Sequence, residues 1–189
     1  MAMLNINGYF FEPDLRLDRI DTLHGIGGGL LIYVKNGLVI KSLDKICSFN
    51  QYAQFELLSK DSRKNNLQIT LVYRPPSASE ENTHELCKLI EGAGPNSLFI
   101  GDFNFPAIDW LHETYDRKSS IFFETTKKKT FVQLVGFPTH IHGNTLDLVL
   151  SNRPENIITL EPIGNLSTSD HSIILVETIF NSRFNSNKT

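Results

Sequence analysis

The sequence predicts an α/β sandwich in which two mainly antiparallel β-sheets pack face to face, with helices on the outer faces. Three observations point there. Strand-type segments outnumber helical ones along the chain. At least two helical segments interrupt them at irregular intervals, unlike the regular strand-helix alternation of a doubly wound sheet. No internal repeat or long linker divides the 189 residues, a length that suits one domain with a sizeable core.

Taken in order, Gly27-Gly28-Gly29 followed by the apolar run Leu30 to Val34 reads as a turn into a strand. Gln54 to Leu58 and Leu67 to Tyr73 are strand-like, and in the second Leu67, Ile69, Leu71 and Tyr73 share one face. Pro75-Pro76 ends that strand, because proline has no N–H to give a ladder. Ser77 and Glu80 stand at capping-box spacing. Leu86, Leu89 and Ile90 then make one apolar helical face, which Gly92 or Gly94 closes. Ser97 to Gly101 is a short strand with Asp102 at its C-terminal end. Ser119 to Val135 reads as a second helix, with Phe122, Phe123, Leu134 and Val135 toward the core. Leu146 to Leu150, Ile157 to Ile163 and Ser172 to Phe180 are the last strands. Residues 1–180 are thus one domain, and the polar, aperiodic stretch 181–189 is a flexible tail.

Composition narrows the function classes. Forty per cent of residues are hydrophobic and 21% charged, as in a soluble globular protein. A formal charge of −3 gives no support for nucleic-acid binding through bulk positive charge. A nuclease can still be acidic, since a bound metal ion supplies positive charge locally. Cys47 and Cys87 fit neither a zinc spacing nor a disulfide framework. No apolar run approaches a bilayer span, and the first residues lack a signal-peptide pattern. The expectation is a reduced intracellular compartment, the nucleus if genomic DNA is the substrate.

Four segments carry chemistry. In Gly101-Asp102-Phe103-Asn104, alternation puts Asp102 and Asn104 on one side of an extended chain. A carboxylate there can take a proton from an attacking water, and an amide can orient that water or a phosphate oxygen. The same tetrapeptide reads equally as turn punctuation. Ser169-Asp170-His171 sets a hard metal ligand beside an imidazole, or forms an ordinary surface loop. Asp147 interrupts the apolar run Leu146 to Leu150, and a buried carboxylate needs a partner, for which His171 is the candidate. Otherwise Asp147 lies on the polar face of a half-exposed strand. Tyr73, before Arg74-Pro75-Pro76, is a strand-end phenol able to donate to phosphate, or a core tyrosine with a wet tip. The glycine run 25–29 has no P-loop or dinucleotide spacing. Lys127-Lys128-Lys129 reads as a solvated helix face, or as a contact to a DNA backbone. His140 and His142 stand two apart in a loop; metal binding is one reading of them, though nothing near them in sequence supports it.

The order of these segments is more specific than any one of them. Arg16, Asp18 and Arg19 precede the glycine run and Ile32-Tyr33-Val34. Tyr73-Arg74-Pro75-Pro76, Gly101 to Asn104, Asp109-Trp110, Phe137-Pro138-Thr139, Thr145 to Leu150 and Ser169-Asp170-His171 follow. The series resembles the endonuclease domains of non-LTR retrotransposons, from about Gly8 to about Phe180. Those domains belong to the endonuclease/exonuclease/phosphatase superfamily, with DNase I and exonuclease III. The resemblance implies a four-layered α/β sandwich, DNase I-like, with the active site at one end of its sheets. It implies Asp102 as the base for the attacking water, Asn104 positioning water and phosphate, and Tyr73 on the phosphate. It implies Asp170 on a divalent metal, Mg2+ or Mn2+, and His171 held by Asp147 and stabilising transition-state charge. Thr139 and Arg74 are expected at the phosphate or the DNA. The implied reaction is hydrolysis of a DNA phosphodiester, nicking one strand to leave a 3′-hydroxyl that primes reverse transcription. The implied partners are DNA and a reverse transcriptase domain C-terminal in the parent polyprotein, with no membrane.

One departure from that pattern shapes a further expectation. The family has an Asn on its first strand and a metal-binding Glu on its second, both before the segment matching Gly8-Tyr9. Only Met1 to Asn7 precede that segment here, so the domain is expected to be partial at its N-terminus, with its first strands missing and its activity impaired. Two other readings stay open at this point: an inactive or domesticated fragment acting as a binding module, and a phosphatase of the same superfamily.

Overall fold

A computed structural model describes residues 6–13, 17–18, 29–47, 51–60 and 66–182. Arg16, Arg19, most of the glycine run and the last seven residues of the expected tail lie outside the described residues. The described strands are β1 (Tyr9–Phe11), β2 (Leu17–Asp18), β3 (Gly29–Leu30), β4 (Tyr33–Lys35), β5 (Ile40–Cys47) and β6 (Gln51–Leu57). They continue as β7 (Leu67–Tyr73), β8 (Ser97–Asp102), β9 (Val132–Gln133), β10 (Asp147–Ser151), β11 (Ile157–Asn165) and β12 (Ser172–Thr178). Two helices, α1 (Glu80–Glu91) and α2 (Ser120–Lys128), interrupt them.

A six-stranded sheet in the order β5-β6-β7-β8-β10-β9 is the centre of the fold. Its neighbours are antiparallel except β7 and β8, which run parallel across the α1 crossover. Strands buried on both faces need apolar residues at nearly every position, and β7 shows how this is met. Val72 faces the helix side, in a cluster with Leu86 and Ile90 of α1, Phe122 and Phe123 of α2, and Phe99 of β8. Ile69 and Leu71 face the other way, against Ala53 and Phe55 and residues of β3 and β4. Further along that second face, Leu98 and Val149 meet Leu160, Ile174 and Val176 from the β11–β12 ladder. Helices, central sheet and a second layer of paired strands are therefore stacked as a mixed α/β sandwich.

Three local expectations shift. The capping box of α1 is Ser79 with Asn82, not Ser77 with Glu80. Ser79 Oγ accepts from Asn82 N–H, and Asn82 Oδ1 accepts from Ser79 N–H at 2.9 Å. A turn closed by Ala78 N–H on Pro75 O, 3.0 Å, uses up the residues between the prolines and the cap. The second helix stops at Lys128, well before Val135. Thr130 sits at φ +57°, and Phe131 N–H bonds back to Thr126 O at 2.9 Å, a six-to-one closure of the Schellman type. Val135 then packs on the opposite face of the sheet from Phe122. At the far end, Asn181 and Ser182 are not loose: Lys60 N–H donates to Asn181 O at 3.0 Å, and Ser59 and Ser182 form a bridge. Among the described residues no helix is long and apolar enough to cross a membrane.

Candidate active site

The site is built where β7, β8 and β10 end together. Register places Tyr73 beside Asp102 on the parallel side and Asp147 opposite Asp102 on the antiparallel side. The strands are held in step past their ends: Arg74 N–H donates to Asp102 O at 2.8 Å, and Phe103 N–H to Leu146 O at 2.9 Å. Two carboxylates are thus set side by side by backbone pairing alone, before any side-chain contact is counted.

Like charges at that spacing work against each other, and the surroundings decide which is relieved. Asp147 Oδ2 lies 2.7 Å from His171 Nδ1. Asp102 has no such partner: its Oδ1 is buried with no hydrogen-bond partner among the described residues. Burial pushes the Asp102 carboxyl up to about 6 and the Asp147 charge pushes the same way, while His171, the Asn104 backbone N–H and Arg74 pull it down. For His171, burial opposes the charge. The Asp147 hydrogen bond and the fields of Asp147, Asp102 and Asp170 outweigh that and raise its pKa. Asp170 is held below the usual carboxylate range, first by its own backbone N–H and further by the two histidines, against an opposing effect of burial.

Asn104, two residues after Asp102, takes a left-handed backbone conformation, at φ +53°. Arg74 holds that conformation. Its Nη1 donates to Asn104 O at 2.9 Å, Nη2 lies 3.3 Å from Thr83 Oγ1, and the guanidinium covers the Phe105 ring at 4.1 Å. At 8% exposed, Arg74 is packed beneath the site rather than laid out toward a ligand's backbone. Thr139 is likewise buried, at 0% exposure. Its Oγ1 accepts from the N–H groups of Leu146 and Asp147, both at 3.0 Å. Both residues thus sit where they fix the site from below. Thr139→Val keeps the shape and leaves two N–H donors without an acceptor. It is expected to cost about 2–4 kcal/mol in urea unfolding, with Thr139→Ser close to the parent.

Asp170 and His171 come from the loop before β12, and the 139–144 loop straps them to the sheet. Ser172 N–H donates to Thr139 O at 2.8 Å, and Ile141 N–H to Asp170 O at 3.0 Å. That strap brings in a residue the sequence left aside. His140 bridges to His171, and its Nε2 is 3.4 Å from Asp170 Oδ2. His140, Asp170 and His171 each offer one ligand atom, all within 4.8 Å of one another. Nothing local in the sequence marks His140, because its partners lie about thirty residues on.

These features define a class. The mixed α/β layers match DNase I-like endonuclease folds. The structure is similar to the endonuclease domain of TRAS1, a telomere-specific non-LTR retrotransposon, with a TM-score of 0.66 and 16% identity over 92% of this chain and 79% of that one. It is also similar to an endonuclease/exonuclease/phosphatase family protein from Leptotrichia buccalis C-1013-b, with a TM-score of 0.59 and 13% identity over 91% and 71% of the two chains. Comparison with curated proteins gives no match. The particular family follows from residues 67–175, which match the Endonuclease-reverse transcriptase family, and the chain belongs to it. The matched span begins with β7 and holds Tyr73, Asp102, Asn104, Asp147, Asp170 and His171.

Proposed function

We propose that this endonuclease domain hydrolyses a DNA phosphodiester with a divalent metal ion, nicking one strand to leave the 3′-hydroxyl that primes reverse transcription. The observation that carries the reading is the unequal carboxylate pair: Asp147 bound to His171, and Asp102 with one buried carboxylate oxygen, Oδ1, that has no hydrogen-bond partner among the described residues. A carboxyl near 6 is ionised at neutral pH yet basic enough to take a proton, which is the compromise a general base needs. Asp102 would accept the proton of the attacking water as the water oxygen bonds to phosphorus and the bond to the 3′ oxygen breaks, the departing 3′ oxygen taking a proton from solvent to become the 3′-hydroxyl. Asn104 would orient that water or a phosphate oxygen, and Tyr73 would donate to the phosphate. Asp147 holds the Nδ1 side of His171, leaving the Nε2 side as a donor to the charge that builds on the phosphate oxygens.

The donor set fits a hard divalent cation. The Asp170 carboxylate and the His171 imidazole each offer a ligand atom within 4.8 Å of the other, and His171 is bonded to Asp147 of the Asp102–Asp147 pair that the β8–β10 register sets opposite each other. Oxygen donors suit Mg2+, and the adjacent imidazoles make Mn2+ acceptable. Asp170 would hold the ion. When bound, it would act as a Lewis acid on the phosphoryl group. The parent element would place the domain in the nucleus, ahead of a reverse transcriptase.

Plasmid DNA, the purified chain, and Mg2+, Mn2+ or EDTA test this directly, with Asp102→Ala alongside. Conversion of supercoiled to open-circular plasmid is expected with either metal, and none with EDTA or Asp102→Ala. Nicking that survives both EDTA and the substitution would overturn the reading.

A further inference from the structure

We infer that His140 is a positioning residue for the Asp170 carboxylate, donating to it from Nε2 rather than binding metal itself. The inference rests on the reading of Asp170 as the residue that would hold the ion. Two observations separate donor from ligand. First, His140 Nδ1 is taken: it faces the backbone N–H of His142 at 3.2 Å and so acts as an acceptor. A neutral imidazole that accepts at Nδ1 carries its proton on Nε2. Second, that Nε2 lies 3.4 Å from Asp170 Oδ2. A protonated nitrogen has no lone pair for a metal but can steady a carboxylate that has one.

The rest of the strap makes the contact directional. Backbone bonds on either side of the His140–His171 bridge fix Asp170 relative to His140 to within one residue. Ring contacts of 4.9 Å to both His142 and His171 restrict the His140 imidazole. The His140 side chain is 14% exposed while Asp170 is 61% exposed. An enclosed donor therefore meets a carboxylate that would otherwise sample many rotamers in water. Outer partners of this kind orient metal-binding carboxylates, and losing one lowers metal affinity or activity roughly 10- to 100-fold.

Two substitutions split ring from proton. His140→Phe keeps the packing against His142 and His171 and removes the Nε2 donor. His140→Gln gives up the ring and keeps an N–H at a similar reach. The readouts are the imidazole nitrogen resonances of the labelled, metal-free chain at pH about 8, Mn2+ affinity by electron paramagnetic resonance, and plasmid nicking. An Nε2–H tautomer is expected at His140, with its Nε2 resonance moving in Asp170→Asn. Mn2+ affinity should fall roughly 10- to 100-fold in His140→Phe and much less in His140→Gln, with nicking following. An Nδ1–H tautomer, an unmoved resonance in Asp170→Asn, unchanged Mn2+ affinity in His140→Phe, or equal losses in both variants would each overturn the inference. A parent chain that binds Mn2+ without nicking would sink the catalytic reading, while tautomer and affinity still decide this one. A parent whose Mn2+ binding is no better than that of Asp170→Asn would sink the positioning role.

Discussion

Asp102→Asn is expected to reduce nicking by about 100- to 10,000-fold, the range for removing a positioned general base, while leaving the folded state at least as stable as the parent. The second half of the expectation is the diagnostic one. Asn matches Asp in shape, so Arg74 N–H keeps its bond to the residue-102 carbonyl and the strand register is untouched. What disappears is a charge that its surroundings disfavour, since burial lifts the Asp102 carboxyl to about 6. The sign follows from proton counting. Between the ordinary value of 3.8 and about 6 the folded chain holds a proton that the unfolded chain has released. Stability therefore falls as pH rises through that window, and above about 6 the full cost is present. A shift of that size corresponds to about 3 kcal/mol at most. Asp102 is only partly enclosed, which lowers the figure to about 1–3 kcal/mol. Urea unfolding in EDTA from pH 4 to pH 8 should show the parent losing stability relative to Asp102→Asn up to pH about 6, then a constant gap. A parent that gains stability relative to the variant over that range would mean Asp102 is better solvated or paired than the geometry shows. A variant that still nicks at parental rate would remove Asp102 from the chemistry.

How much of this was legible beforehand depends on whether the signal was local. The strand ending in Asp102 and the strand beginning at Asp147 could be read because punctuation and apolar runs mark them in place. The pairing of Asp147 with His171 could be anticipated from cost alone, since a carboxylate in an apolar strand needs a partner. β5 went unread because Lys41, Asp44 and Lys45 interrupt its pattern and the register shifts between Ser42 and Asp44, so period-two counting fails there. The early end of α2 was hidden because Thr130 takes a left-handed position that glycine usually marks. His140 and the burial of Arg74 and Thr139 come from chain segments meeting across the fold, which no local window contains.

Gly101→Ala is expected to be strongly damaging for a single added methyl, and the reason lies one residue before the catalytic candidate. Gly101 has φ +142°, a region that side chains rarely enter. A β-carbon there would stand 1.9 Å from the carbonyl oxygen of Val72 and 2.9 Å from its carbon. The obstacle is backbone of β7, paired with Gly101 in the parallel ladder, and it cannot rotate aside as a side-chain tip would. Either the ladder opens or the chain around Asp102 moves, and both routes pass through the site. The expected cost is about 3–5 kcal/mol, at the upper end for one substitution, or a fall of roughly 10 °C in the unfolding midpoint for a chain of this size. Nicking should fall even at temperatures where the variant stays folded, because β7 and β8 carry Tyr73 and Asp102 as neighbours in that same ladder. Gly136→Ala is the control, since a β-carbon there meets nothing within 4 Å. Equal stability of the two variants would mean that the close approach of Val72 to Gly101 does not exist in solution. The β7–β8 register that places Asp102 beside Tyr73 would then have to be wrong as well.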